Sequence, residues 1–183
     1  MNLNKLVIVM NGAGGVGKDT LCQITEKYAN TLNVSSVDPI KELARSGGWK
    51  GKKDLKARKL LSDLKLLFTD YNNLPLSYMF KRYVEFLFDN KLQIMFVHIR
   101  EPEEIKKFVE VIPTAVVTVL VRRKTDVGTY GNMADDNVEN YDYDFYFDNN
   151  STLEEAEVNF MNLIEDICKS LNVSLKGDAN ESS

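Results

Sequence analysis

The chain has one histidine, two cysteines, one tryptophan and four prolines in 183 residues. A single histidine excludes a metal centre built on histidines, and Cys22 and Cys168 stand far apart, without metal-ligand spacing. They read as reduced core thiols of a cytoplasmic protein. No apolar run approaches the roughly 20 residues of a membrane helix. The N-terminal apolar run, 6–10, is short and is followed by no small-residue cleavage site, so neither a membrane partner nor a signal peptide is expected. Aromatic residues interleaved with basic ones are also missing. With a net charge of −4, this argues against general nucleic-acid binding.

The apolar fraction of 44% and charged fraction of 27% fit one globular domain large enough to bury a core. The charge is polarised. Residues 41–59 carry eight Lys or Arg (Lys41, Arg45, Lys50, Lys52, Lys53, Lys56, Arg58 and Lys59) against Glu42 and Asp54. Residues 135–166 carry eleven acids and no basic residue. Solvated faces account for part of this, and the basic cluster favours an anionic ligand nearby.

Apolar runs at 6–10, 33–38, 92–99, 114–121 and 144–149 read as strands. They alternate with segments of helical period at 17–30, 54–72, 76–87, 101–111 and 151–171. Asp54 is a candidate N-cap for the stripe Ala57, Leu60, Leu61, Leu64, Leu67, Phe68 and Tyr71. Leu74-Pro75 breaks that helix. Ser151-x-x-Glu154 reads as a capping box for the last helix, with Leu153 among its inward residues. Such alternation predicts an α/β fold, a parallel sheet covered by helices on both faces, whose ligands bind beyond the carboxyl ends of the strands.

The segment "NGAGGVGKDT" follows the first strand directly. Gly12, Gly14, Gly15 and Gly17 free the backbone to wrap its N–H groups around a phosphate, with Ala13 and Val16 between them. The helix beginning near Gly17 turns its positive end toward the anion, and Lys18 reaches the outer phosphates. A chance glycine-rich turn is the competing reading, and the strand-to-helix context disfavours it. Asp19 occupies the usual place of a magnesium-binding hydroxyl, so either Asp19 or Thr20 faces the metal; an acid merely favoured by the helix dipole is the alternative for Asp19.

The loop Gly12-x-x-x-x-Gly17-Lys18-Asp19-Thr20 resembles that of phage-type deoxynucleoside monophosphate kinases and their bacterial relatives. Similar segments follow at "VDPIKELA" (37–44), "HIREPEE" (98–104), "VRRK" (121–124) and "DFYFDNNSTLEE" (144–155), so the resemblance spreads over residues 5–170. It implies a three-layer P-loop NTPase fold with strand order 2-3-1-4-5. One domain would cover 1–173, with an acceptor-binding helical insert at about 39–90, a short lid at about 122–140, and a disordered tail from 174. It further implies ATP and Mg2+ at Gly12, Ala13, Gly14, Gly15, Val16, Gly17, Lys18, Asp19 and Thr20, with Asp19 or Thr20 on the metal. Asp38, Lys41, Arg58 and Arg100 would meet the acceptor. Lys18, Arg100, Arg122, Arg123 and Asp38 would serve the transfer of the phosphoryl group.

The pattern departs at His98, where the family carries an acid; a neutral imidazole does not hold magnesium's water shell as a carboxylate does. A core histidine is the bland alternative. Asp135, Asp136 and Glu139 of the lid segment read as surface acids. Three functions follow: a (deoxy)nucleoside monophosphate kinase, a hydroxyl kinase of the dephospho-coenzyme A kinase type with Asp38 as base, or a nucleotide-binding module with little transfer. Trp49 either stacks on an acceptor base or packs on the domain. The partner is a small-molecule phosphate acceptor, and the chain is a monomer or a homodimer.

Overall fold

A computed structural model describes residues 4–52, 54–124 and 138–175. Five strands, β1 (Leu6–Asn11), β2 (Thr31–Ser35), β3 (Ile94–His98), β4 (Val116–Arg122) and β5 (Phe145–Asp148), form one parallel sheet ordered β2-β3-β1-β4-β5, as expected. The described helices are α1 (Lys18–Thr25), α2 (Asp38–Ser46), α3 (Leu55–Asn72), α4 (Leu74–Phe88), α5 (Pro102–Val111) and α6 (Leu153–Leu171).

Two-residue periodicity sorts the core. Central strand β1 is buried along its whole length. Leu6, Ile8 and Met10 face a cluster with Leu21 and Ile24 of α1 and Phe160, Ile164 and Ile167 of α6. Val7 and Val9 face the opposite cluster, with Met79, Tyr83 and Phe86 of α4 and Ile105 and Phe108 of α5. Each face of the sheet is therefore covered by helices, which is why its strands read as continuous apolar runs. In register, Met10 pairs with His98 and Asn11 with Leu120. The exits of β3 and β4 thus flank the first turn after β1.

Elsewhere the pattern misleads in definable ways. Strand β2 covers 31–35 rather than 33–38, because the Asp38 carboxylate accepts the Ser35 N–H at 2.8 Å and the chain turns into α2. That helix is not announced by periodicity, since only Pro39, Ile40 and Ala44 are buried. Helix α1 stops at Thr25 instead of reaching residue 30, and Tyr28 is 55% exposed, its hydroxyl donating to Glu157 at 2.7 Å. The capping box of α6 lies one residue later, between Thr152 and Glu155, and Leu153 faces outward. Asp54 does cap α3, accepting from the Ala57 N–H at 2.9 Å. Of the expected α3 stripe only Ala57 is buried, while Leu60, Leu67 and Tyr71 are exposed, because α3 leans on α2 and α4 rather than on the sheet. Most of the expected lid (125–137), with Asp135 and Asp136, lies outside the described residues, as do Lys53 and the tail from residue 176.

Two lysines join distant elements. Buried Lys5 donates from Nζ to the carbonyl oxygens of Phe86 (2.7 Å), Asp89 (2.7 Å) and Leu92 (2.8 Å), closing the end of α4 onto the start of β1. Burial lowers its pKa from the ordinary lysine value. Replacing it by methionine strands those carbonyls without a donor. Lys5→Met is expected to cost about 3 kcal/mol, a fall of roughly 6–12 °C in thermal midpoint for a chain of this size. Calorimetric melting checks it, and an unchanged midpoint contradicts the capping role.

Candidate active site

The turn after β1 has its shape fixed from outside. Gly12 has φ 141°, and a Cβ there would run into the carbonyl oxygen of Val121 on β4, well inside contact distance. Gly17 has φ 98°, and a Cβ there would meet the side-chain amide of Asn149, just past β5. Only glycine fits either position. Asn149 is buried and donates from Nδ2 to the Val16 carbonyl at 2.8 Å, while its own N–H reaches the Arg122 carbonyl at 2.8 Å. It pins the loop to the ends of β4 and β5. The sequence holds it only as the first Asn of "DFYFDNN", without a sign of this role.

Gly17 is the N-cap of α1, and Lys18 is the first residue of that helix. The Lys18 ammonium donates to the carbonyl oxygens of Gly12 and Ala13, the latter at 2.9 Å. It therefore stands folded over the loop's own rim. Asp19 and Thr20 are exposed in the first turn of α1, where the helix dipole points its positive end.

Behind the loop lies His98, at the end of β3. Its Nε2 is 2.7 Å from Asn33 Oδ1 and 3.7 Å from Cys22 Sγ, an arrangement satisfied by an Nε2–H donating to the amide oxygen. Burial pulls its pKa down from 6.5 to about 4, against opposing pulls from Asp19 and Asp38, so the imidazole is neutral at neutral pH. Burial likewise raises the Cys22 thiol far above its ordinary range. Charges on both Asp19 and Lys18, and on both Asp38 and Lys41, act on His98. It lies between the phosphate loop and the start of α2.

Asp38 and Lys41 form a partly buried ion pair of 2.9 Å. The remaining Asp38 oxygen is taken by the Ser35 N–H. Arg100 follows β3, and its carbonyl accepts from the Asn11 side chain at 3.0 Å. Arg58 is exposed in the first turn of α3, and Arg123 is exposed after β4. Arg122 makes a two-pronged contact with Glu139, whose Oε1 lies 3.0 Å from Nε, and stacks over the Tyr146 ring at 4.5 Å. Glu139 is thus more than a surface acid: it holds an arginine expected to face the transferred group. Trp49 is half-buried, donates to the Lys52 carbonyl at 2.9 Å and lies 5.6 Å from the Arg45 guanidinium.

Lys65 is a further residue that periodicity conceals, since it stands on the apolar side of α3. Its ammonium contacts Ser36 Oγ at 3.0 Å, Glu101, and Glu104 at 2.7 Å, joining α3 to the tips of β2 and β3. Burial pushes Glu104 up to about 7 despite this lysine.

The donor set fits a polyphosphate: a glycine cradle shaped by neighbouring backbone, a helix N-terminus and a lysine at its rim. No cluster of three metal-ligating side chains exists among the described residues. Magnesium at Asp19 or Thr20 would complete its shell with water and phosphate oxygens, as that ion prefers.

Sheet order, loop and covering helices define a three-layer α/β protein of the P-loop NTPase fold. No protein-family model and no curated protein matches the sequence. Among solved structures the chain is similar to a provisionally assigned kinase from Chloroflexus aurantiacus J-10-fl: 15% identity, TM-score 0.53, covering 92% of this chain and 98% of that one. It is also similar to TT1252 from Thermus thermophilus at 15% identity and TM-score 0.50, covering 88% of this chain and 97% of that one. At such identities the likeness is one of fold. No described helix is long and apolar enough to cross a membrane.

Because His98 is the sole histidine, its titration is directly readable. With the folded value near 4 and the unfolded near 6.5, the unfolded chain binds the proton first. The stability His98 contributes is complete above pH 6.5 and is lost as pH falls toward 4. The single imidazole resonance is expected to titrate near pH 4 in the folded protein; a midpoint near 6.5 contradicts the buried, neutral assignment.

Proposed function

We propose that the chain is an ATP-dependent small-molecule kinase that transfers the γ-phosphoryl group to a nucleoside monophosphate, with a deoxynucleotide the favoured acceptor. The observation that carries this reading is the convergence of the glycine cradle, Lys18, Arg100 and the Asp38–Lys41 pair on the carboxyl edge of one sheet. ATP would lie with its phosphates in the loop and supply the group to be transferred, magnesium neutralising part of their charge.

The work left to the chain is placement and charge neutralisation. Backbone N–H groups of residues 13–18 hold the donor phosphates, and Lys18 exchanges the Gly12 and Ala13 carbonyls for phosphate oxygens. Arg100 and Lys41 hold the acceptor's anionic group, with Arg58 at the outer end of a helical insert formed by α2, α3 and α4. Arg123 lies beside the transferred group, joined by Arg122 once it leaves Glu139. Asp19 or Thr20 would hold the magnesium, directly or through water, work that a neutral His98 would not do.

The acceptor class follows from Asp38. A hydroxyl acceptor needs a free carboxylate to take its proton. Both Asp38 oxygens are committed, one to Lys41 and one to the Ser35 N–H. A monophosphate already carries an ionised oxygen and needs no base, so this arrangement supports it over a sugar or pantetheine hydroxyl. The reading of a nucleotide-binding module draws on a single observation, the engagement of Arg122 by Glu139.

ADP formation from Mg-ATP against a panel of nucleoside monophosphates and hydroxyl acceptors tests the proposal. Turnover is expected with at least one monophosphate, and Asp38→Asn is expected to keep kcat within about tenfold. A folded Asp38→Asn protein that has lost a hundredfold or more would move the assignment to a hydroxyl acceptor. ATP binding without turnover of any acceptor would leave the module.

A further inference from the structure

Asn11 closes the central strand with a polar side chain, fully buried, where every neighbour on β1 is apolar. Its amide is completely used. Oδ1 accepts the Gly12 N–H at 2.8 Å, and Nδ2 donates to the Arg100 carbonyl at 3.0 Å and to the Tyr143 hydroxyl at 2.6 Å. Tyr143 in turn donates its proton to the Val138 carbonyl at 2.7 Å. Burial raises the Tyr143 hydroxyl to about 12, so it stays protonated and able to donate.

The partners of this amide are the backbones that carry the proposed cations. Gly12 opens the loop that holds Lys18, and Arg100 is joined by its own carbonyl. Tyr143 packs edge-on against Tyr146 at 6.0 Å, the ring over which Arg122 lies, and Val138 precedes Glu139, which holds the same arginine. Three segments from separate parts of the chain (after β1, after β3 and before β5) meet on one side chain. An apolar residue would suit the packing of a central strand equally well, but it would leave the Gly12 N–H and the Arg100 carbonyl without these partners. Aspartate, of nearly the same shape, lacks both N–H donors and sets a negative charge beside the phosphate loop.

We infer that Asn11, with Tyr143 as its relay, is a positioning residue that fixes the phosphate loop relative to Arg100 and to the Tyr146 platform of Arg122. The inference rests on the kinase reading above. It touches no reacting atom; it sets the distance between the group that holds the donor and the groups that hold the acceptor and the transferred charge. Displacements of about 1 Å in such an arrangement cost up to a hundredfold in rate.

The test is Tyr143→Phe, which keeps the ring and removes only the hydroxyl, with Asn11→Asp as the more severe companion. With the acceptor that the wild type uses, Tyr143→Phe is expected to lower kcat about tenfold or more while KM for ATP changes less than about twofold. Asn11→Asp, if folded by circular dichroism, is expected to lower kcat further. A Tyr143→Phe protein with lowered thermal midpoint and unchanged kcat overturns the inference, leaving the amide a packing feature. If the wild type itself turns over no acceptor, the kinase reading fails and this inference with it, a result distinct from an active wild type that is indifferent to the Tyr143 hydroxyl.

Discussion

The close approach of the turn after β1 to the neighbouring strand exits is the constraint on which the site depends. Gly12 lies against the Val121 carbonyl and Gly17 against the Asn149 amide, with no space for a Cβ at either point. The loop does not hold its own shape; β4 and β5 mould it. Their order in the sheet, next to β1 on one side, is therefore a requirement of the site.

Much of the fold could be read in advance, and the reason is physical. Strands β1, β3 and β4 are buried on both faces, so their residues are apolar without alternation and stand out against any background. The phosphate loop stands out likewise, because backbone wrapping demands glycine at particular places. Helix α2 was concealed because it buries so few residues. The α3 stripe misled in the opposite direction: its leucines have core spacing, yet α3 rests on other helices and leaves Leu60, Leu67 and Tyr71 exposed.

The supporting polar residues were the least legible part of the site. Asn11, Lys65, Tyr143 and Asn149 act through hydrogen bonds that join residues far apart along the chain, and such pairs leave no period in the sequence. Charge counting had the same blindness. The basic run 41–59 favours an anionic ligand nearby, yet its count does not show how the fold distributes its members: Lys41 pairs with Asp38, Lys59 with Asp63, and Arg58 stands exposed. The acidic segment 135–166 likewise supplies a partner, Glu139, for Arg122. His98 is explained by its surroundings of Asn33, Cys22 and the phosphate-loop helix, which keep it neutral, in keeping with a supporting place behind the loop.

Everything proposed for the site requires that the loop bind nucleotide phosphates through Lys18. Calorimetric titration of Mg-ATP into the wild-type protein and into Lys18→Ala measures this directly. Saturable one-to-one binding by the wild type is expected, weakened about a hundredfold or more in a Lys18→Ala protein that is still folded by circular dichroism, as loss of a charge-assisted phosphate contact implies. Equal affinity in the two proteins, or no binding by either, would contradict it.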